Sequence, residues 1–145
     1  MQQIRSPQKF YRACSFAILT ILLPTGSFAA DLVKNPLDVK LQKYADRYNA
    51  TLPTMVAPTL RQDRLSVFNG VMTYQYTEVT KTGTELARMN LESTQRPYIF
   101  PAICKSSDTG RMMRDGVSFR YLYVGKDGKL GAQLVFIPSD CAQYQ

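Results

Sequence analysis

The chain of 145 residues has no histidine, no tryptophan and three cysteines, with 45% apolar and 20% charged residues. That is the balance of one ordinary globular domain. Without histidine there is no Ser-His or Cys-His nucleophile pair, no imidazole metal ligand and none of the usual neutral-pH proton shuttle.

Residues 1–29 read as an export signal. Arg5, Lys9 and Arg12 form a basic leader, Ser15 to Leu23 an apolar run, and Pro24 and Gly26 break it before Ser27-Phe28-Ala29. These are the parts of a cleaved secretory signal, with the cut expected after Ala29. The apolar run is about half the ~20 residues a membrane span needs. Cys14 precedes the run instead of following it, so a lipid anchor is not expected. Residues 30–145 are then a single soluble periplasmic domain without a membrane span. The formal charge of +7 falls to +4 once the leader is gone, since 15 basic residues remain against 11 acidic ones. An ordinary surface bias and an exported address both argue against nucleic-acid binding.

A helix begins at Asn35 (cap) and Pro36 (first position). Leu37, Leu41, Tyr44, Ala45 and Tyr48 fall on one stripe at helical spacing. Asn49-Ala50-Thr51 matches a glycosylation triplet by chance. Leu52 to Pro58 reads as an extended connector, because its prolines disfavour helix. Arg64–Phe68 and Val71–Thr77 flank Asn69-Gly70, the expected two-residue hairpin turn, since both turn positions need positive φ. Lys81 to Thr84 ends the second strand.

From Glu85 to Gln95 a helical stretch offers only Leu86, Ala87 and Met89 as inward residues, and Pro97 and Pro101 should break or restart it. Ser106 or Ser107 can cap a short helix through Met112 and Met113, stopped by Gly116. Val117 to Val124 alternates, with Val117, Phe119, Tyr121 and Tyr123 on one face. Gly125-Lys126-Asp127-Gly128 turns the chain, and Leu130 to Ile137 returns it. The predicted fold is α+β: a four-stranded antiparallel sheet made from two hairpins, packed with the N-terminal helix and short middle helices. Cys104 and Cys141, the cysteines left after export, are expected to form a disulfide. Such a bridge contributes about 4 kcal/mol in the chain-entropy account.

Catalytic signals are thin. Glu78, Glu85, Glu92, Asp108, Asp115, Asp127 and Asp140 are available, but nothing in the spacing brings two of them across a cleft as a glycosidase needs. The sole Ser-x-x-Lys, Ser6 to Lys9, leaves with the leader, and Gly125 to Gly128 is too short for a phosphate loop. No cofactor and no metal are expected. Tyr74, Tyr76, Phe119, Tyr121, Tyr123 and Phe136 crowd the strands and read first as core. Tyrosines on an open sheet face would instead present Tyr74, Tyr76, Tyr121 and Tyr123 to a partner, beside Arg120. Arg111, Arg114, Arg120, Lys126 and Lys129 would add a basic rim, or a merely solvated face.

The run Ile103-Cys104, then Arg111 to Val117, then Phe119-Arg120-Tyr121-Leu122-Tyr123, then Asp127-Gly128-Lys129, then Asp140-Cys141, resembles small exported bacterial proteins and lipoproteins of unassigned function. The strand Thr73 to Thr77 fits the same pattern. The resemblance implies export and an α+β fold, and carries no catalytic residue. The expectation is an exported, non-enzymatic interaction protein of accessory, inhibitor or immunity type, whose partner is another envelope protein. The alternatives are a small histidine-free hydrolase using a carboxylate pair, or a carrier of a small apolar ligand held between sheet and helices.

Overall fold

A computed structural model describes residues 35–144 of the chain. The leader expected at residues 1–29 lies outside the described residues.

Helix α1 spans Pro36–Asn49, with Pro36 in its first turn, and Asn35 accepts from the Leu37 N–H at 3.0 Å as its cap. Leu41 and Ala45 of the expected stripe are buried, and Leu37, Tyr44 and Tyr48 flank them half-buried. Strand β1 (Thr54–Ala57) follows, then β2 (Leu60–Phe68) and β3 (Val71–Glu78). The hairpin between β2 and β3 turns at Asn69 and Gly70, whose φ values are +49° and +72°. Next come helices α2 (Gly83–Arg88), α3 (Leu91–Lys105) and α4 (Thr109–Arg114), strands β4 (Ser118–Gly125) and β5 (Leu130–Phe136), and a closing 3-10 helix (Pro138–Tyr144).

The sheet has five strands in the order β1-β2-β3-β4-β5, and β3 runs parallel to β4 while every other pair is antiparallel. The four-stranded antiparallel expectation is corrected on both counts. The connector at Leu52 to Pro58 holds an edge strand between its prolines, a position where a missing N–H costs no interior ladder bond. The two hairpins join in parallel because the chain between them is long and helical. Parallel neighbours need such a crossover, whereas short turns constrain only the strands they connect.

The middle helices also differ from expectation. The stretch from Glu85 to Gln95 is two helices, separated at Asn90 with φ +49°. Of its proposed inward residues Leu86 is buried, while Ala87 and Met89 face outward. Pro97 and Pro101 lie inside α3 without ending it. Each removes a helical hydrogen bond, but burial of Leu91, Ile103 and Cys104 holds the helix against the sheet. Ser106 accepts from the N–H groups of Asp108 and Thr109 before α4, and Gly116 (φ +92°) ends that helix.

Register places Met72, Tyr74, Tyr76, Phe119, Tyr121, Tyr123, Leu134 and Phe136 on one sheet face. The helices pack on that face: Tyr48 of α1 meets Tyr74 edge-on, and Phe100 of α3 stacks on Phe136. Phe119, Phe136, Leu65, Met72 and Leu134 are fully buried and form the centre of the core. Cys104 at the end of α3 is bonded to Cys141 in the 3-10 helix, with Cα atoms 5.4 Å apart, inside the range a disulfide spans. No described helix is long and apolar enough to cross a membrane.

Candidate functional site

The strand tyrosines come together, but under the helices instead of on an open face. The parallel β3/β4 register sets Tyr74 beside Tyr121 and Tyr76 beside Tyr123. Their rings stack at 5.3 Å (Tyr74–Tyr121), 6.2 Å (Tyr76–Tyr121) and 5.4 Å (Tyr76–Tyr123), spacings at which aromatic pairs attract beyond their buried area. The row continues through Tyr48 to Tyr44 on α1, and through Phe136 and Phe100 to Tyr144. Tyr74 and Tyr123 are buried; Tyr76 and Tyr121 remain half-exposed. Burial first, and then the neighbouring tyrosines, push the hydroxyls of Tyr74, Tyr76 and Tyr121 well above the ordinary phenol range, so these three stay neutral.

Tyr121 lies in a shallow groove, wide open to solvent and bordered by α3 and the start of α4. Tyr98, Ile99, Ala102 and Ile103 supply its apolar wall, and Tyr98 is 78% exposed. Tyr98 and Ile99 carried no sequence signal: they lie between two prolines, in a segment expected to break.

Arg120 does not join this group. It alternates to the opposite sheet face, in register with Thr73 and Val135, and its buried Nε has no partner among the described residues. The basic rim is also dispersed. Arg111 and Arg114 lie on α4, Arg120 on the far face, and Lys126 and Lys129 at the β4–β5 turn.

Each acidic candidate except Asp115 has a structural partner. Glu78, 8% exposed, accepts from the hydroxyl of Thr59 at 2.7 Å, from the Thr80 N–H at 3.0 Å and from the Thr80 hydroxyl. Burial opposes its ionisation, but those donors outweigh the burial and hold the carboxyl below its ordinary value. Glu85 closes the capping box with Thr82, and Glu92 pairs with Arg96 one turn on. Asp108 pairs with Arg111, Asp127 accepts from the N–H groups of Gly83 and Lys129, and Asp140 binds Arg96 and the Ile137 N–H. Asp115 lines the cleft between α1 and α4 and Glu78 a groove beside Leu86 and Tyr123, each without a second of these carboxylates.

Arg96 is a junction that sequence reasoning missed. Its guanidinium lies 4.8 Å above the Phe136 ring and donates to the Val135 carbonyl at 2.9 Å and to Asp140 at 3.2 Å. An arginine behind a proline-broken stretch gave no cue that it would cross to the last strand.

No protein-family model matches the chain, and no curated protein matches its sequence. Solved structures share the fold. A candidate secreted protein of Pseudomonas aeruginosa aligns with TM-score 0.63 at 15% identity, over 72% of this chain and 92% of that one. The pilotin EpsS of the Vibrio vulnificus type 2 secretion system aligns with TM-score 0.58 at 14% identity, over 72% and 91%. The type II secretion system pilotin AspS of Vibrio cholerae gives 0.54 at 16% identity, over 72% and 92%. At these identities the likeness establishes the fold.

Proposed function

We propose that this chain is an exported, non-enzymatic accessory protein that docks another envelope protein on the groove between α3 and the tyrosine row. The observation that carries this reading is Tyr98, 78% exposed beside Ile99, Ala102 and Ile103 and bordering the same shallow groove as the half-buried Tyr121. Tyrosine beside apolar side chains is the composition of an interface hot spot. The stacked strand tyrosines Tyr74, Tyr76 and Tyr121 act as a neutral, rigid floor. Pilotins and a candidate secreted protein among the proteins of the same fold agree with an exported accessory role. The disulfide agrees with an oxidising compartment, as do the export signal read at residues 1–29 and the resemblance to small exported proteins.

The test is affinity capture from the envelope fraction. The wild-type chain recovers a stoichiometric protein partner, and Tyr98→Glu loses it while its thermal unfolding stays that of the wild type. Equal recovery by Tyr98→Glu, or turnover of a cell-wall substrate with no partner recovered, refutes the reading.

A further inference from the structure

A second cleft, of about 410 Å³, lies between α1 and α4. Its apolar lining comes from Leu37, Leu41 and Tyr44 of α1, from Met112 of α4, and from Val117 ahead of β4. Lys40 and Arg47, seven residues apart and so on one side of α1, stand at its rim with Arg111 of α4; Asp115 is the single carboxylate. Lys40 and Arg47 have no carboxylate within 4.0 Å among the described residues, and the ion pair of Arg111 is an exposed 3.4 Å contact with Asp108. The cleft is thus apolar inside and carries three cations at its mouth against two anions, Asp115 in the lining and Asp108 beside Arg111.

Both walls are held in place without a ligand. Asp38 of α1 accepts from the N–H groups of Asn69 (2.8 Å) and Gly70 (2.6 Å), and the Asn49 amide pairs with both backbone groups of Leu65. On the other side, Gly110 of α4 sits so close to the Cys104 carbonyl that no side chain would fit, and Cys104 is bonded to Cys141. A preformed apolar cleft of this size, with a few polar groups converging on it, is the usual form of a small-molecule site.

We propose that this cleft binds a single-chain anionic amphiphile, the apolar chain lying along the half-buried Leu37, Tyr44 and Met112, over a floor backed by the buried Leu41 and Val117, and a carboxylate or phosphate head meeting Lys40, Arg47 and Arg111. Charge complementarity selects an anion, and the apolar lining selects a tail over a free ion. The shared chemistry is one alkyl chain with an anionic head. The site is separate from the α3 groove and does not depend on it.

The purified protein is titrated with sodium dodecanoate and with dodecyl phosphate, both below their micelle-forming concentrations, by calorimetry and backbone amide NMR. Dodecyl maltoside and inorganic phosphate serve as controls. Saturable one-to-one binding of one or both anionic amphiphiles, with shifts centred on Leu37, Tyr44 and Met112, is expected, and the tighter of the two identifies the head group. The neutral detergent and free phosphate bind at least about tenfold more weakly, as does the Lys40→Ala/Arg47→Ala/Arg111→Ala triple variant, the size of effect that losing charge-assisted contacts produces. Tyr98→Glu binds as the wild type does, so the outcome is independent of the docking groove. The proposal is overturned by equal binding of the neutral detergent, by undiminished binding of the triple variant, by tight binding of phosphate alone, by a titration that does not saturate, or by shifts centred on Tyr98 and Tyr121.

Discussion

Glu78 ends β3 with its carboxylate satisfied by Thr59 from the β1–β2 turn and by Thr80 just past the strand. These contacts favour the charged form, so its folded pKa lies below the unfolded one. Stability from such a group is present above the unfolded value and is lost as pH falls through the folded value. Glu78→Gln should therefore cost about 1.5 kcal/mol at neutral pH, the low end of what hydrogen bonds to a charge contribute. In urea titrations the gap to the wild type should close as the medium is acidified. Arg96 carries a larger share, because one guanidinium serves a π-contact, a backbone carbonyl and two carboxylates. Arg96→Ala should lower stability by about 2 kcal/mol through the lost cation–π and charge-assisted contacts, read as a lower urea midpoint at unchanged slope. Asn49 in the apparent glycosylation triplet is likewise structural, since its amide pairs with the backbone of Leu65 where β1 no longer covers the edge of β2.

Among the elements, local chemistry predicted those whose signals are local. The Asn35 cap, the Asn69-Gly70 turn and the Gly116 stop each sit where neighbouring residues demand them. The alternation of β4 correctly assigned Phe119, Tyr121 and Tyr123 to one face. Helix α3 was illegible because its prolines oppose helix locally, and only packing over the whole sheet outweighs them. The docking of α2 on the β4–β5 turn was equally hidden. There the Gly83 N–H meets Asp127, the Lys126 N–H meets the Lys81 carbonyl, and Gly125 lies directly against the Thr82–Gly83 backbone. A methyl group at Gly125 would overlap Gly83 N and the carbonyl carbon of Thr82, both backbone atoms that cannot swing aside. Gly125→Ala should cost about 1–3 kcal/mol by overpacking, measurable as a drop in melting temperature.

At the scale of the molecule, the parallel β3/β4 junction decides the candidate sites. It stacks Tyr74 on Tyr121 and Tyr76 on Tyr123, and it sends the chain through three helices, of which α2 and α3 pack on the sheet and α4 on α3. The sheet is broad enough that α1 lies over β2 while α2 and α3 lie toward β4 and β5. Two open sites result: the aromatic α3 groove, argued to take a protein partner, and the cationic α1–α4 cleft, argued to take an amphiphile. Their predicted responses are independent, since Tyr98→Glu affects the first and the triple cation variant the second.

The sequence alone settled what depends on adjacent residues: the missing histidine chemistry, the Asn35 cap and the Asn69-Gly70 turn, the alternation of β4, and the α+β class. Only the tertiary structure decided the direction in which the second hairpin returns, the survival of α3 through its prolines, the placing of Arg120 away from the tyrosines and the gathering of Lys40, Arg47 and Arg111 around one cleft. Caps, turns and alternation are set within a few bonds of the chain. Those later features come from contacts between residues far apart in sequence, where the free energy of packing outweighs local preference.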